Sequence, residues 1–122
     1  MSGVVLWLGA GALGAAGAVA RYAVDVAVSR RTGGELPWGT LAVNLVGSFA
    51  LGVIVGLGTS HDPRFLAGGA FVGSFTTFST WMLETLRLAE QGEGRRAAAN
   101  VAVSLVLGIA AAGAGWALGA VL

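Results

Sequence analysis

The sequence predicts an all-α membrane protein of four transmembrane helices, and three observations carry that prediction. Of the 122 residues, 56% are hydrophobic and only 11% charged, where soluble domains carry roughly 25% charged residues. Such a chain cannot supply the polar shell that a water-soluble fold of this length needs. Charges divide it into four apolar blocks, each near or above the roughly 18 residues that cross a hydrocarbon core. Lastly, 21 glycines are interspersed with Ala, Val and Leu throughout, a mixture costly in a soluble helix but suited to close helix packing in lipid. Backbone groups in lipid must be satisfied within their own segment, so blocks this long are helices and not strands.

The first block runs from about Gly3 to Ala20. It has no basic n-region and flows straight into Arg21-Tyr22, so it reads as a membrane helix and not as a signal peptide. Asp25 to Pro37 is expected to join it to the second block, Trp38 to Gly58. The third block, Phe65 to Leu83, follows a short link from Thr59 to Arg64, where Asp62 is expected to cap and Pro63 to take the first helical position. Glu90 to Arg96, punctuated by Gly92 and Gly94, leads to the fourth block, Ala97 to Leu122. No connection is long enough for a second domain, so residues 1–122 are expected to form one unit.

Composition excludes several functions. Without cysteine there is no disulfide framework, iron–sulfur cluster or cysteine-based zinc site. A net charge of +1 leaves no basic surface for nucleic acid. Neither a catalytic dyad nor a phosphate-binding loop is present, so the chain reads as a non-enzyme.

The second block carries no charge, yet Thr40, Asn44, Ser48, Gly52, Gly56 and Ser60 recur every fourth residue along one slowly drifting face. The glycines read as packing positions. An amide in mid-membrane is expensive without partners, so Asn44 is the stripe's candidate for an ion path. Block four repeats the device with Asn100, Ser104 and Gly108, which suggests a polar seam shared between the two helices. Block three is the most unusual: from Gly73 to Trp81 it sets five hydroxyls among three aromatics. That stretch has modest helix propensity, and its hydroxyls compete for the backbone, so the helix is expected to unwind near Gly73–Thr77. A broken helix at membrane depth is tolerated only where it is buried in protein or lines a cavity.

These pieces suit a small anion. A phenyl ring has a negative face and a positive edge, and Asn, Ser and Thr donate hydrogen bonds. Weak neutral donors let an ion enter and leave, as conduction requires. Arg21, beside Tyr22 where the first block closes, reads either as an interfacial snorkelling residue or as the cation of a vestibule that concentrates anions. His61 and Asp62, in a short loop, read as a solvated pair.

The chain resembles the Fluc (CrcB) fluoride channel family along its whole length. The resemblance lies in Gly14–Tyr22, in Gly39-Thr40-Leu41-Ala42-Val43-Asn44-Leu45-Val46-Gly47-Ser48-Phe49, and in Phe75-Thr76-Thr77-Phe78-Ser79-Thr80 followed by an aromatic. It implies an antiparallel, dual-topology dimer in the cell (inner) membrane, with two pores at the subunit interface through which cytoplasmic fluoride leaves passively. By the same resemblance Asn44 is a pore donor and Phe78 a ring of an edge-on aromatic box. Thr40, Ser79 and Thr80 form a polar track, and Ser104 lines the path. Arg21 stands at the vestibule, and the backbone carbonyls of Gly73 and Thr76 hold a structural sodium ion on the two-fold axis. Two positions depart from the family: Trp81 stands where a second Phe is usual, and Asn100 where some members have Tyr. Two rivals are a small dual-topology multidrug or cation antiporter and a non-transporting assembly subunit. The first needs a carboxylate inside helix one, which has none before Asp25; the second leaves donors and aromatics on three helices unexplained. An excess of arginine on one side further allows a heterodimer with a homologous subunit beside the homodimer.

Overall fold

The computed structural model describes residues 2–122. Its elements are α1 (Gly3–Thr32), α2 (Trp38–Gly56), α3 (His61–Arg64), a π-helical segment (Phe65–Val72), α4 (Gly73–Phe75), α5 (Ser79–Glu90) and α6 (Gly94–Val121). Every regular element among the described residues is helical, as the composition predicts. Three helices, α1, α2 and α6, are long and apolar enough to cross a membrane. From His61 to Glu90 the chain runs between the same two ends as these helices, in two helical halves. At one end Phe65 meets Trp7 of α1, edge to face at 5.4 Å; at the other, Leu88 and Gln91 line a cavity with Glu35 and Pro37.

Several boundaries differ from the sequence expectation. Helix α1 does not close at Arg21: it continues through Asp25 to Thr32 and ends on Gly33 in the left-handed conformation (φ 85°). At 1.5 Å per residue this helix is about 45 Å long, longer than a hydrocarbon core of about 30 Å requires. The link before α3 is also shorter than expected. Ser60 stands at the N-cap position, and Asp62 and Pro63 lie inside the first helical turn.

Helices α2 and α6 pack backbone to backbone. A Cβ on Gly52 would lie 2.2 Å from the Ala112 carbonyl oxygen, and one on Gly115 would lie 2.1 Å from that of Phe49. The glycines of the α2 stripe are thus packing positions, with α6 of the same chain as partner. Few side chains are buried: Val43, Val72, Phe75, Leu88 and Ala97 make up the apolar core. Large apolar side chains such as Trp7, Val19, Val106 and Ile109 face outward, the arrangement expected where lipid or another subunit is the surrounding medium.

Candidate functional site

The helix breaks at Thr76–Phe78, between α4 and α5, overlapping the C-terminal end of the expected Gly73–Thr77 stretch. Gly73 itself is helical (φ −59°, ψ −38°), and the chain turns extended at Thr76 (φ −80°, ψ 161°). A long-range contact fixes the position. Asn44 of α2 donates from Nδ2 to the Thr77 carbonyl at 2.9 Å, and its Oδ1 accepts from the Thr77 amide at 2.8 Å. One carboxamide therefore satisfies both backbone polar groups of a residue that has left the helix, which offsets part of the cost of the break.

Two amides are diverted here. In an unbroken helix the Thr77 amide would bond the Gly73 carbonyl and the Thr80 amide the Thr76 carbonyl. Instead Thr77 donates to Asn44, and Thr80 donates to the Thr77 hydroxyl at 3.2 Å, which starts α5. The Thr76 hydroxyl turns back to the Val72 carbonyl at 3.1 Å, so its methyl faces α2. Gly47 receives that methyl.

Beside the break lies an open groove of about 440 Å³, lined by Asn44, Ser48, Thr77, Phe78, Trp81 and Ser104 among others, with Gly73 and Thr76 in its wall. Phe78 is 70% exposed and stands at 83° to Trp81, with ring centroids 5.7 Å apart. The structure thus brings Asn44, Phe78, Trp81 and Ser104 together from three helices.

Other residues singled out in the sequence lie elsewhere. Ser79 and Thr80 open α5 outside the groove lining. Thr40 is 2% exposed, and its hydroxyl faces the Glu84 carboxyl without a well-formed hydrogen bond, since Thr40 Oγ1 and Glu84 Oε1 are both buried and unpaired. Arg21 is half-buried within α1, not at its end. His61 pairs with Asp62 at 3.0 Å, and no group of three metal-ligating side chains occurs among the described residues.

Sequence reasoning missed Thr85. It accepts from Asn100 Nδ2 at 2.8 Å and donates to the Trp81 carbonyl at 2.8 Å. Its place one turn after Trp81 was the only available signal. Asn100 in turn accepts the Trp81 indole N–H on its backbone carbonyl at 3.3 Å, so this N–H is directed to α6.

Comparison with known proteins agrees with this architecture. The profile described as CrcB-like protein, Camphor Resistance (CrcB), matches residues 8–116. The chain is 53% identical over 92% of its length to a protein of Mycolicibacterium paratuberculosis named fluoride-specific ion channel FluC 2, of which it covers 92%. It is 50% identical to a Mycobacterium tuberculosis protein of the same name, over 89% of this chain and 86% of that one. A Symbiobacterium thermophilum protein named fluoride-specific ion channel FluC 1 is 44% identical over 93% of this chain and 96% of its own. By the extent of these matches and the apolar character of its helices, the chain is a multi-pass membrane protein of the CrcB family.

Proposed function

We propose that this chain is one subunit of a dimeric, passive, fluoride-selective channel that lets cytoplasmic fluoride leave through the cell (inner) membrane. The observation that carries the reading is the groove beside the helix break. There an amide, a hydroxyl and two aromatic rings gather on a chain with no lysine and no charged residue lining that surface. Neutral donors and positive ring edges attract a small anion without trapping it. The names of the relatives support fluoride as that anion.

In this reading the 61–90 segment is a fourth, interrupted crossing, and residues 1–122 act as a single channel domain. The groove is open along one side and Phe78 is largely exposed, which supports a second subunit closing the path. An antiparallel partner would bring two breaks together at mid-membrane. The interruption fits a structural sodium ion there, because the carbonyls of Gly73 and Thr76 are among those it leaves without a helical partner. A hard cation prefers such oxygen ligands, and when bound it supplies charge compensation for the paired breaks. Phe78 and Trp81 border the path, Asn44 offers its second N–H, and Ser104 contributes a hydroxyl. Thr40, Ser79 and Thr80 continue a polar track, and Arg21 draws anions toward the mouth. No reaction is catalysed. From acidified surroundings fluoride enters the cell as neutral hydrogen fluoride and ionises inside, so a passive pore is enough to release it.

Efflux from liposomes is the direct test. Purified protein is expected to pass fluoride far faster than chloride, with no proton gradient. Equal rates for the two anions, or strict coupling to protons, would defeat the reading.

A further inference from the structure

Trp81, Asn100 and Thr85 form a closed hydrogen-bond circuit between α5 and α6. The Trp81 indole N–H donates to the Asn100 carbonyl at 3.3 Å, Asn100 Nδ2 donates to Thr85 Oγ1 at 2.8 Å, and Thr85 Oγ1 donates to the Trp81 carbonyl at 2.8 Å. The direction of the circuit is determined. A hydroxyl has one proton, and that of Thr85 is committed to Trp81. Asn100 must therefore present its NH₂ to Thr85, because the flipped amide would set oxygen against oxygen. All three residues are at least partly buried, where such bonds are worth most.

We propose that Asn100 and Thr85 are positioning residues that set the attitude of the Trp81 ring, and through it the rate and anion selectivity of the path. This rests on the reading of the groove as an anion path. Trp81 is the ring neighbour of Phe78, at 83° and 5.7 Å, and the largely exposed Phe78 has few other contacts to hold it. With its N–H tied to α6, the indole offers the groove only carbon-bound hydrogens and its face. A released indole can turn its N–H inward. That N–H is a stronger donor than any ring edge, so it would hold the anion longer and slow its exit. The circuit keeps the strongest donor of the aromatic pair out of the path.

The test uses Thr85→Val, which removes the hydroxyl at nearly constant shape, and Thr85→Ser, which keeps it. The chain has four tryptophans, so its ¹⁵N-labelled indole N–H spectrum in nanodiscs is simple, and Trp81→Phe identifies the Trp81 resonance. Thr85→Val is expected to move that resonance, leave the other three in place, and lower fluoride efflux from liposomes by roughly three- to tenfold, the scale of one hydrogen bond. Thr85→Ser should preserve both readouts. In a Trp81→Phe channel Thr85→Val should cost nothing further. Asn100→Ala removes the side-chain bond to Thr85 while keeping the backbone carbonyl that accepts the indole N–H, and has to reproduce the Thr85→Val pattern. An unmoved Trp81 resonance, or efflux losses from Thr85→Val and Trp81→Phe that simply multiply, overturns the proposal while leaving the channel reading intact. A wild-type protein that passes no fluoride overturns both.

Discussion

Gly47 and Thr76 interlock: a Cβ on Gly47 would lie 2.1 Å from Thr76 Cγ2. The threonine methyl occupies the space that any other residue at position 47 would fill, one turn along α2 from the Asn44 clamp. Gly47→Ala is therefore expected to destabilise the protein by about 1–3 kcal/mol, the usual cost of overpacking, and to lower fluoride efflux. Thr76→Ser removes the offending methyl and keeps the hydroxyl that bonds Val72. The double variant Gly47→Ala/Thr76→Ser should regain most of the lost stability in a detergent melt. No recovery would mean that the contact is not what makes glycine necessary.

The Asn44 clamp predicts a combined phenotype. Asn44→Asp retains an acceptor for the Thr77 amide but loses the donor to its carbonyl and places negative charge in the groove. Efflux should fall sharply, and stability by about 1–3 kcal/mol. Asn44→Leu should lose both hydrogen bonds and melt lower still. An Asn44→Leu protein with unchanged melting would show that the break holds its position without the clamp.

Along α2 and α6 the glycines divide by what they face. Gly115 meets the Phe49 carbonyl, whereas Gly113 has open space around its Cβ position. Backbone cannot rotate aside as a side chain can. Gly115→Val is expected to abolish the folded state, while Gly113→Ala should be neutral or slightly stabilising, since alanine is the better helix former. Expression and monodispersity on size exclusion separate the two outcomes.

The proposed sodium site predicts a dependence on the cation. Replacing sodium by a large organic cation is expected to loosen the dimer and lower efflux, with recovery when sodium returns. Dimer stability indifferent to the cation would remove sodium from the Gly73 and Thr76 carbonyls.

Both connecting loops, 33–37 and 91–93, lie at one end, where Glu35, Pro37, Gln91 and Glu93 line a single cavity. That end carries Arg30, Arg31, Arg87, Arg95 and Arg96, and the other only Arg64. Basic residues favour the cytoplasmic side, which opposes a self-sufficient antiparallel homodimer. Reporter fusions at the C-terminus should nonetheless find both orientations. A single orientation would mean that a homologous subunit of opposite bias completes the dimer.

Much of this was legible in the sequence, because apolar length and glycine spacing are local properties that the fold uses directly. The blocks, the packing stripe Gly52-xxx-Gly56 and the presence of a break in block three all follow from such patterns. What escaped depends on distant partners. A break is expected near Gly73–Thr77, but its extent, Thr76–Phe78, depends on Asn44, thirty-three residues away, which binds both backbone groups of Thr77. Arg21 suggested a helix end because charge was equated with the limit of lipid, yet α1 continues to Thr32. Trp81 and Asn100 stood out separately as departures from the family. Nothing in their spacing revealed that they bond to each other.

The π-helical segment Phe65–Val72 acts as a phase setter for everything after it. A π turn holds one more residue than an α turn, so these residues place Thr76, Thr77 and Phe78 at a rotational angle that an ordinary helix of equal length would miss. Removing a single residue from 65–72 would change that angle and shift the following chain along the axis. Thr77 would then turn away from Asn44, and the Thr76 methyl from Gly47. Point substitutions on the lipid-facing side of this segment can drift freely, but its length cannot. Among homologous chains, insertions and deletions should collect in the polar loops and avoid this stretch.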